Sequence, residues 1–347
     1  MDTISPQDWT ALCGLMNGWV QSTALGAACE LGLFDFLSRR PGATVEDVAA
    51  GLDITRHGAR VLLLACSATG TVQRDGSGAY ANTALAEAYL RSDAPLSMAS
   101  FVAFNQKVQQ VGCQRLAESL RQGRNAGLDA FPGPGDTLYQ RLAADPASER
   151  LFQTAMAAYT RLAPGMIEAE ELSAARVLVD VGGGDGTNAM RLCRRFPELT
   201  VTLVDLPSVC AIARKRVEEA GLERRIRCVE ADMFRDPWPE GDAVLLSHVV
   251  EIFAEERVRF LYAKACERLP PGGRLFAWTL TCADDESGGL QAAKSSIYFV
   301  AVASGHGMAY PASQHERWLK GAGFGELRRH DARHLDHTLL VATKPGP

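Results

Sequence analysis

Three acids and a run of glycines stand at the ends of two short apolar stretches. Val177-Leu-Val-Asp180-Val181 leads into Gly182-Gly-Gly184-Asp185-Gly186-Thr187, and Val201-Thr-Leu-Val204 ends on Asp205. An apolar run of this length reads as a buried parallel strand, and the glycines turn the chain sharply. The residues after them can start a helix whose N-terminal amides face a ligand. Asp205 lies 21 residues after Gly184, a spacing that lets its carboxylate accept hydrogen bonds from both hydroxyls of a ribose lying across the strand ends.

The glycine order bears on which nucleoside is held. A dinucleotide fingerprint, G-x-G-x-x-G, sets a pyrophosphate on its helix N-terminus. Here Asp185 stands inside the turn, and an anion would repel pyrophosphate while tolerating or attracting a sulfonium and an α-amino group. The pattern favours S-adenosylmethionine over NAD. A turn with no ligand would leave Asp180, Asp185 and Asp205 as unexplained charges at strand ends.

Around these residues the second half of the chain alternates strand and helix, as a doubly wound α/β sheet does. Strands are expected at 177–181, 201–205, 226–230, 243–247, 273–279, 326–330 and 338–343. The first third reads as helical, with Leu12, Met16, Val20, Leu25, Ala28 and Leu31 spaced along 9–36. That is more apolar surface than one small core needs, so a subunit interface, hence a homodimer, is expected. Thr44 caps a short helix, 55–69 reads as a longer one, and 72–80 as two short strands around a Gly-rich turn. This order is that of a winged-helix module, but residues 1–100 hold 6 arginines, no lysine and 10 acids, which opposes a phosphate backbone. Residues 100–170 read as further helices broken at 131–135, with Phe152 to Leu162 amphipathic.

The chain has 347 residues, 47% of them hydrophobic, which allows two or three domains with sizeable cores. A net charge of -5 argues against nucleic acid as the main partner. No apolar run approaches a membrane span, and the first residues lack the basic start of a signal peptide. Nine cysteines without a C-x-x-C pair read as buried thiols of a reducing cytoplasm.

Asp180-Val-Gly-Gly-Gly-Asp185-Gly, Val204-Asp205-Leu-Pro207, Ala231-Asp232-Met233-Phe234, Leu269-Pro-Pro-Gly-Gly273 and Ala322-Gly-Phe324 together resemble the class I small-molecule methyltransferases. Within these, the chain resembles the caffeic-acid-type O-methyltransferases and the tailoring enzymes of aromatic antibiotics, over nearly its whole length. The resemblance implies a winged-helix-like dimerisation domain at 1–105, a helical linker at 106–172 that contributes to the acceptor pocket, and a Rossmann-like catalytic domain at 173–347. It implies S-adenosylmethionine contacts from Asp180, Gly182, Gly184, Asp205, Leu206 and Ser247, an adenine partner in Asp232, and apolar cover from Met233 and Phe234. Aromatic and sulfur side chains at Phe152, Met156, Tyr159, Phe253, Tyr298, Met308 and Tyr310 fall where the family builds its acceptor cavity. Lys294, a cation in a mostly apolar helix, is a candidate for an acceptor carboxylate.

One departure stands out. Where the family carries a catalytic histidine followed by Asp-Trp, this chain reads Glu251-Ile252-Phe253, and the two glutamates that orient that histidine in plant members fall at about Thr279 and Ala309. Glu251 thus occupies the position of the base, yet an ordinary glutamate near pKa 4.3 is a weak base for a phenol near 10. His248, three residues earlier, can share the proton. His306, in a glycine-flanked turn, completes either an acid/base cluster or a two-histidine, one-carboxylate metal site. Three readings follow: methyl transfer to oxygen or to a ring carbon of a phenolic metabolite, metal-assisted C-methylation of an α-keto acid, or a non-enzymatic S-adenosylmethionine sensor.

Overall fold

The structure is a computed structural model and describes residues 5–162, 170–332 and 336–346. Its described residues form two compact units, one of Met1–Gln110 with Thr154–Tyr159, the other of Val111–Gln153 with Thr160–Pro347. The stretch 106–172 is shared between them, and 163–169 lies outside the described residues.

The first unit is built from α1 (Pro6–Met16), α2 (Gly18–Glu30), α3 (Leu33–Arg39), α4 (Val45–Gly51), α5 (Arg56–Ala68), the hairpin β1 (Val72–Arg74) and β2 (Tyr80–Asn82), α6 (Ala84–Tyr89) and α7 (Ala99–Phe104). The helical stretch expected over 9–36 is three helices. One break falls at Asn17, the other at Gly32, whose left-handed backbone (φ 73°) only glycine adopts without strain. Thr44 and Asp47 form a reciprocal capping box on α4. Leu33, Phe34, Leu37, Val48 and Leu63 close the core, while Leu15 (83% exposed), Trp19 (64%) and Trp9 (54%) stay in solvent on α1 and α2.

In the second unit, α8 (Gln110–Cys113), α9 (Leu116–Gln122), α10 (Leu138–Leu142) and α11 (Pro146–Leu162) precede the sheet, although Gln110 of α8 and the middle of α11, 154–159, belong to the first unit. Then β3 (Val177–Val181), α12 (Thr187–Arg195), β4 (Thr200–Asp205), α13 (Pro207–Glu219), β5 (Ile226–Glu230), β6 (Ala243–Ser247), α14 (Glu255–Arg268) and β7 (Arg274–Leu280) alternate. The chain ends with α15 (Leu290–Tyr298), α16 (Ala312–Gly321), β8 (Glu326–Ala332) and β9 (His337–Thr343). Sheet order is β5-β4-β3-β6-β7-β9-β8. The pairs from β5 to β7 are parallel, and β9 runs antiparallel between β7 and β8.

Alternate residues of each central strand enter different cores. Val179, Val181, Val244 and Leu246 face one side with Tyr262 and Trp318, while Leu178, Val201, Leu245 and Phe276 face the other. Burial on both faces is why these strands are continuous apolar runs. Strand order reverses between β3 and β6, and in open α/β sheets the crevice outside the carboxyl ends at that point holds the ligand. Asp180, Asp205, Asp232, Ser247 and His248 all lie at or just beyond those ends.

Candidate active site

Beyond β3 the turn is drawn tight by Asp205. The Gly184 amide donates to Asp205 Oδ2 at 2.9 Å and the Leu206 amide to Oδ1 at 2.8 Å, so both strand ends are tied by one carboxylate. Gly182 (φ 73°) has a left-handed backbone, and a Cβ there would lie 2.7 Å from a Val249 methyl and 3.5 Å from Met233 Cε. Asp180 is 1% exposed, and its Oδ2 has no hydrogen-bond partner among the described residues. Burial pushes the Asp180 carboxyl up to about 7, with the charge of Asp205 adding to the effect. It also pushes Asp205 up to about 6, against the two amides that hold it down, with Glu149 adding its charge.

Asp185 does not face the ligand side as an open charge, contrary to expectation. It is 6% exposed, accepts from the Thr187 amide at 3.0 Å and pairs with Arg216 of α13. Asp185 therefore disfavours pyrophosphate in another way, by occupying an N-terminal amide of α12 that a pyrophosphate would need.

The residues expected to cover adenine follow β5. Asp232 Oδ1 accepts from the Phe234 amide at 2.8 Å, which closes the turn. Phe234 lies edge-on to Phe253 at 4.9 Å and under the Arg257 guanidinium at 4.6 Å. Phe253, expected in the acceptor cavity, thus packs beside the residue expected at adenine. Ser247 Oγ accepts from Asn188 Nδ2 at 3.1 Å.

One residue beyond β6 is His248, held in the left-handed region (φ 55°), an outlier for a side-chain-bearing residue that commonly marks a site. Its Nδ1 lies 3.0 Å from Glu251 Oε1, and Thr279 Oγ1 donates to Glu251 Oε2 at 2.8 Å. Glu251 is 1% exposed while the His248 side chain is 22% exposed. Burial pushes the Glu251 carboxyl up, but the hydrogen bond and charge of His248 and the Thr279 hydroxyl outweigh it and leave it below the ordinary carboxylate range. Both Glu251 oxygens are thus engaged, one by His248 and one by Thr279, and the carboxylate is buried. The His248 ring is partly exposed, although its Nε2 atom is buried.

His306 does not join them. It is exposed, and its amide donates to Ser304 Oγ at 3.4 Å. The loop does approach, since a Cβ at Gly307 would lie 2.6 Å from the Glu251 carbonyl oxygen. Among the described residues no three His, Cys, Asp or Glu side chains gather within metal-binding range, so the expected triad of 248, 251 and 306 is not formed. The ring beside His248 is instead His337, edge-on at 5.0 Å and itself stacked on Trp278 at 5.0 Å. Antiparallel pairing sets His337 opposite Leu280 at the carboxyl end of β7. A histidine opening an apolar strand was the available signal, but its use required the β7–β9 register.

The aromatic candidates separate into groups. Tyr298 is buried and its hydroxyl bonds to that of Tyr139, a residue the sequence did not single out; burial raises both phenols well above their ordinary value. Phe152 lies edge-on to Tyr139 at 5.5 Å. Tyr159, in the first unit with Met156, stacks on Phe101 at 5.3 Å. Tyr310 donates to the Phe253 carbonyl at 3.1 Å and packs against Trp318 at 5.0 Å, so its hydroxyl is already used. Met308 and Lys294 are half-buried, and burial lowers the Lys294 ammonium below the ordinary lysine range.

These features fit S-adenosylmethionine: an unpartnered buried carboxylate oxygen and a glycine cradle that a side chain would fill, with a ribose-directed acid and an apolar slot beside them. Comparison with known proteins agrees. Residues 113–325 match the O-methyltransferase domain and residues 13–92 the O-methyltransferase dimerisation domain. The L-tyrosine C(3)-methyltransferase of Streptomyces lavendulae is 33% identical over 98% of this chain and 94% of its own length. The 3-hydroxy-5-methyl-1-naphthoate 3-O-methyltransferase of Streptomyces sahachiroi is 34% identical over 92% of this chain and 90% of its own length. Among solved structures, human N-acetylserotonin methyltransferase with S-adenosylmethionine superposes with a TM-score of 0.90 at 27% identity, over 100% of both chains. The methyltransferase SibL in its apo form gives 0.81 at 35% identity, over 97% of this chain and 99% of its own. With its methyltransferase and dimerisation domains, this chain belongs to the O-methyltransferase family and is an S-adenosylmethionine-dependent methyltransferase.

Proposed function

We propose that the chain methylates a hydroxylated aromatic small molecule of secondary metabolism and that His248, oriented by Glu251, takes the phenolic proton. The observation that carries this reading is the buried Glu251 carboxylate, bound to His248 Nδ1 on one oxygen and to Thr279 on the other. A carboxylate fixed behind an imidazole selects its tautomer and stabilises the imidazolium that forms. Thr279 holds that carboxylate in place. S-adenosylmethionine supplies the electrophilic methyl, and the residues around it supply proximity and water exclusion. Gly182, Gly184, Asp205 and Leu206 hold the donor, with Asp180, Asp232 and Ser247 bordering it; Met233 and Phe234 cover its base.

The ring carbon ortho to the hydroxyl is the favoured destination of the methyl. By the family resemblance, Glu251-Ile252-Phe253 stands where His-Asp-Trp is expected, and one relative is named for C(3)-methylation of tyrosine. Loss of the phenolic proton to His248 places charge on that carbon, a bond forms from it to the methyl as the methyl–sulfur bond breaks and the sulfur leaves as a neutral thioether, and loss of the ring proton to solvent restores aromaticity. Turnover of a panel of hydroxylated aromatic acids and amino acids, read by product mass and NMR, tests the proposal. A C–CH3 signal ortho to a free hydroxyl is expected, a methoxy signal moves the methyl to oxygen, and chelator-sensitive turnover of an α-keto acid alone overturns the reading.

Lys294 is assigned to the acceptor's carboxylate, with Tyr298, Met308 and Phe152 among the apolar groups near the ring. Lys294→Gln is expected to raise KM for a carboxylated acceptor by about 10-fold, the order of a lost charged hydrogen bond, with little change for its methyl ester. Equal effects on acid and ester would remove Lys294 from recognition.

The exposed apolar face of α1 and α2 is proposed to join two copies of the chain. Light scattering is expected to give roughly twice the 37.4 kDa chain mass, and Leu15→Glu with Trp19→Glu to return it to the monomer. All nine cysteines are free thiols, which suits the reducing cytoplasm proposed for the enzyme. Among the described residues no helix is long and apolar enough to cross a membrane.

A further inference from the structure

Three arginines of the second unit come together at α11, α12 and α13, where among the described residues they meet less negative charge than they carry. Arg216 of α13 pairs with Asp185 and donates to Thr187 Oγ1 at 3.2 Å. Arg191 of α12 donates to a neutral acceptor, the Thr160 carbonyl, at 2.9 Å, which brings it to the last turn of α11. Next to Thr160 is Arg161, whose Nε is buried and has no acceptor among the described residues. Burial lowers the affinity of both Arg191 and Arg216 for their protons, and in each the charge of Arg161 adds to the effect. Glu219, three residues after Arg216, works the other way on Arg216. Among the described residues the three guanidiniums thus share one directly paired carboxylate, Asp185, with Glu219 acting at a distance.

We propose that Arg161, Arg191 and Arg216 form a binding site for a phosphate-class oxyanion, distinct from the methyl-transfer site. A tetrahedral dianion offers several acceptor oxygens to planar fork donors and neutralises charges that otherwise repel one another. It satisfies Arg161 Nε, and Asp185 remains available to cap α12. Arginine rather than lysine on three neighbouring helices suits this multidentate geometry.

The full-length protein, titrated with inorganic phosphate against potassium chloride at matched ionic strength, tests the site by calorimetry and thermal unfolding. Saturable binding with a rise in Tm is expected, since a ligand of the folded state stabilises it by mass action. Arg161→Gln is expected to weaken phosphate at least about tenfold, one charged contact, while Arg194→Gln on the exposed side of α12 leaves it unchanged. Unchanged S-adenosylmethionine affinity in Arg161→Gln shows that the variant is folded, and Arg191→Lys serves as the second variant if it is not. Phenyl phosphate binding as tightly as the free ion identifies a phosphomonoester as the ligand; much weaker binding identifies the free ion. Absence of a saturable phosphate signal overturns the proposal, as does equal binding in the arginine variants. Displacement of phosphate by S-adenosylmethionine also overturns it, by placing the anion in the donor site.

Discussion

Replacing His248 by alanine is expected to lower kcat by about 10² to 10⁴, the usual range for a positioned acid/base, while S-adenosylmethionine binds within a few-fold of its wild-type affinity. Glu251→Gln is expected to lower kcat by a comparable factor for a different reason. It keeps the shape and the contact with Thr279 but offers His248 a neutral amide in place of a carboxylate, so the imidazole loses its fixed tautomer and the charge that stabilises its protonated form. Addition of imidazole then separates the roles: it restores part of the turnover of the alanine variant and none of the Gln variant, whose own imidazole still fills the place. A Gln variant with wild-type turnover would reduce Glu251 to a packing residue. The same pair affects stability. Because the Glu251 carboxyl lies below its ordinary value in the folded chain, its ionised form stabilises the fold; that contribution is complete above the unfolded pKa near 4.3 and is lost as pH falls through the lower folded one. Glu251→Gln therefore costs stability at pH 7 and less at pH 3, a difference that thermal melts at the two pH values measure.

The sheet was legible because its central strands are buried on both faces, so β3, β4, β6 and β7 stand out as apolar runs between polar turns. What the pattern does not carry is strand order. Antiparallel insertion of β9 between β7 and β8 depends on pairings between distant residues, and it alone brings His337 beside His248. Spacing placed Glu251 within reach of His248, but not its burial, which follows from Thr279 on a neighbouring strand. His306 had the right residue type in a loop that passes the same backbone, and its exposure follows from a turn of glycines free to aim it outward. Asp185 failed as an open charge because Arg216, 31 residues further on, turns it toward α13. In each case the residue type was visible, and the direction of the side chain was set by a partner remote in sequence.

Asp205→Ala is expected to weaken S-adenosylmethionine by on the order of 10 to 100-fold in calorimetry, since up to two hydrogen bonds from the ribose to a charged acceptor are lost. The substitution also frees the Gly184 and Leu206 amides, whose bonds of 2.9 and 2.8 Å tie the glycine turn to β4, so part of the loss comes from a slack turn. Asp205→Asn separates the two effects: an amide oxygen still accepts one of these bonds, and what remains lost is charge. The pH dependence follows from the raised carboxyl, at about 6 in the folded chain. A protonated Asp205 is a weaker acceptor and carries no charge toward a cationic ligand, so the part of the affinity due to Asp205 should be constant above pH 7 and fall as pH drops through about 6. Binding of a cation favours the ionised form, so donor binding near pH 6 should release a proton to the buffer, seen as an enthalpy that varies with buffer ionisation heat. In Asp205→Asn the part of that release due to residue 205 disappears, leaving only what Asp180 contributes from its own raised carboxyl. Wild-type affinity in the alanine variant, or tighter binding of NAD than of S-adenosylmethionine, would remove Asp205 from donor recognition.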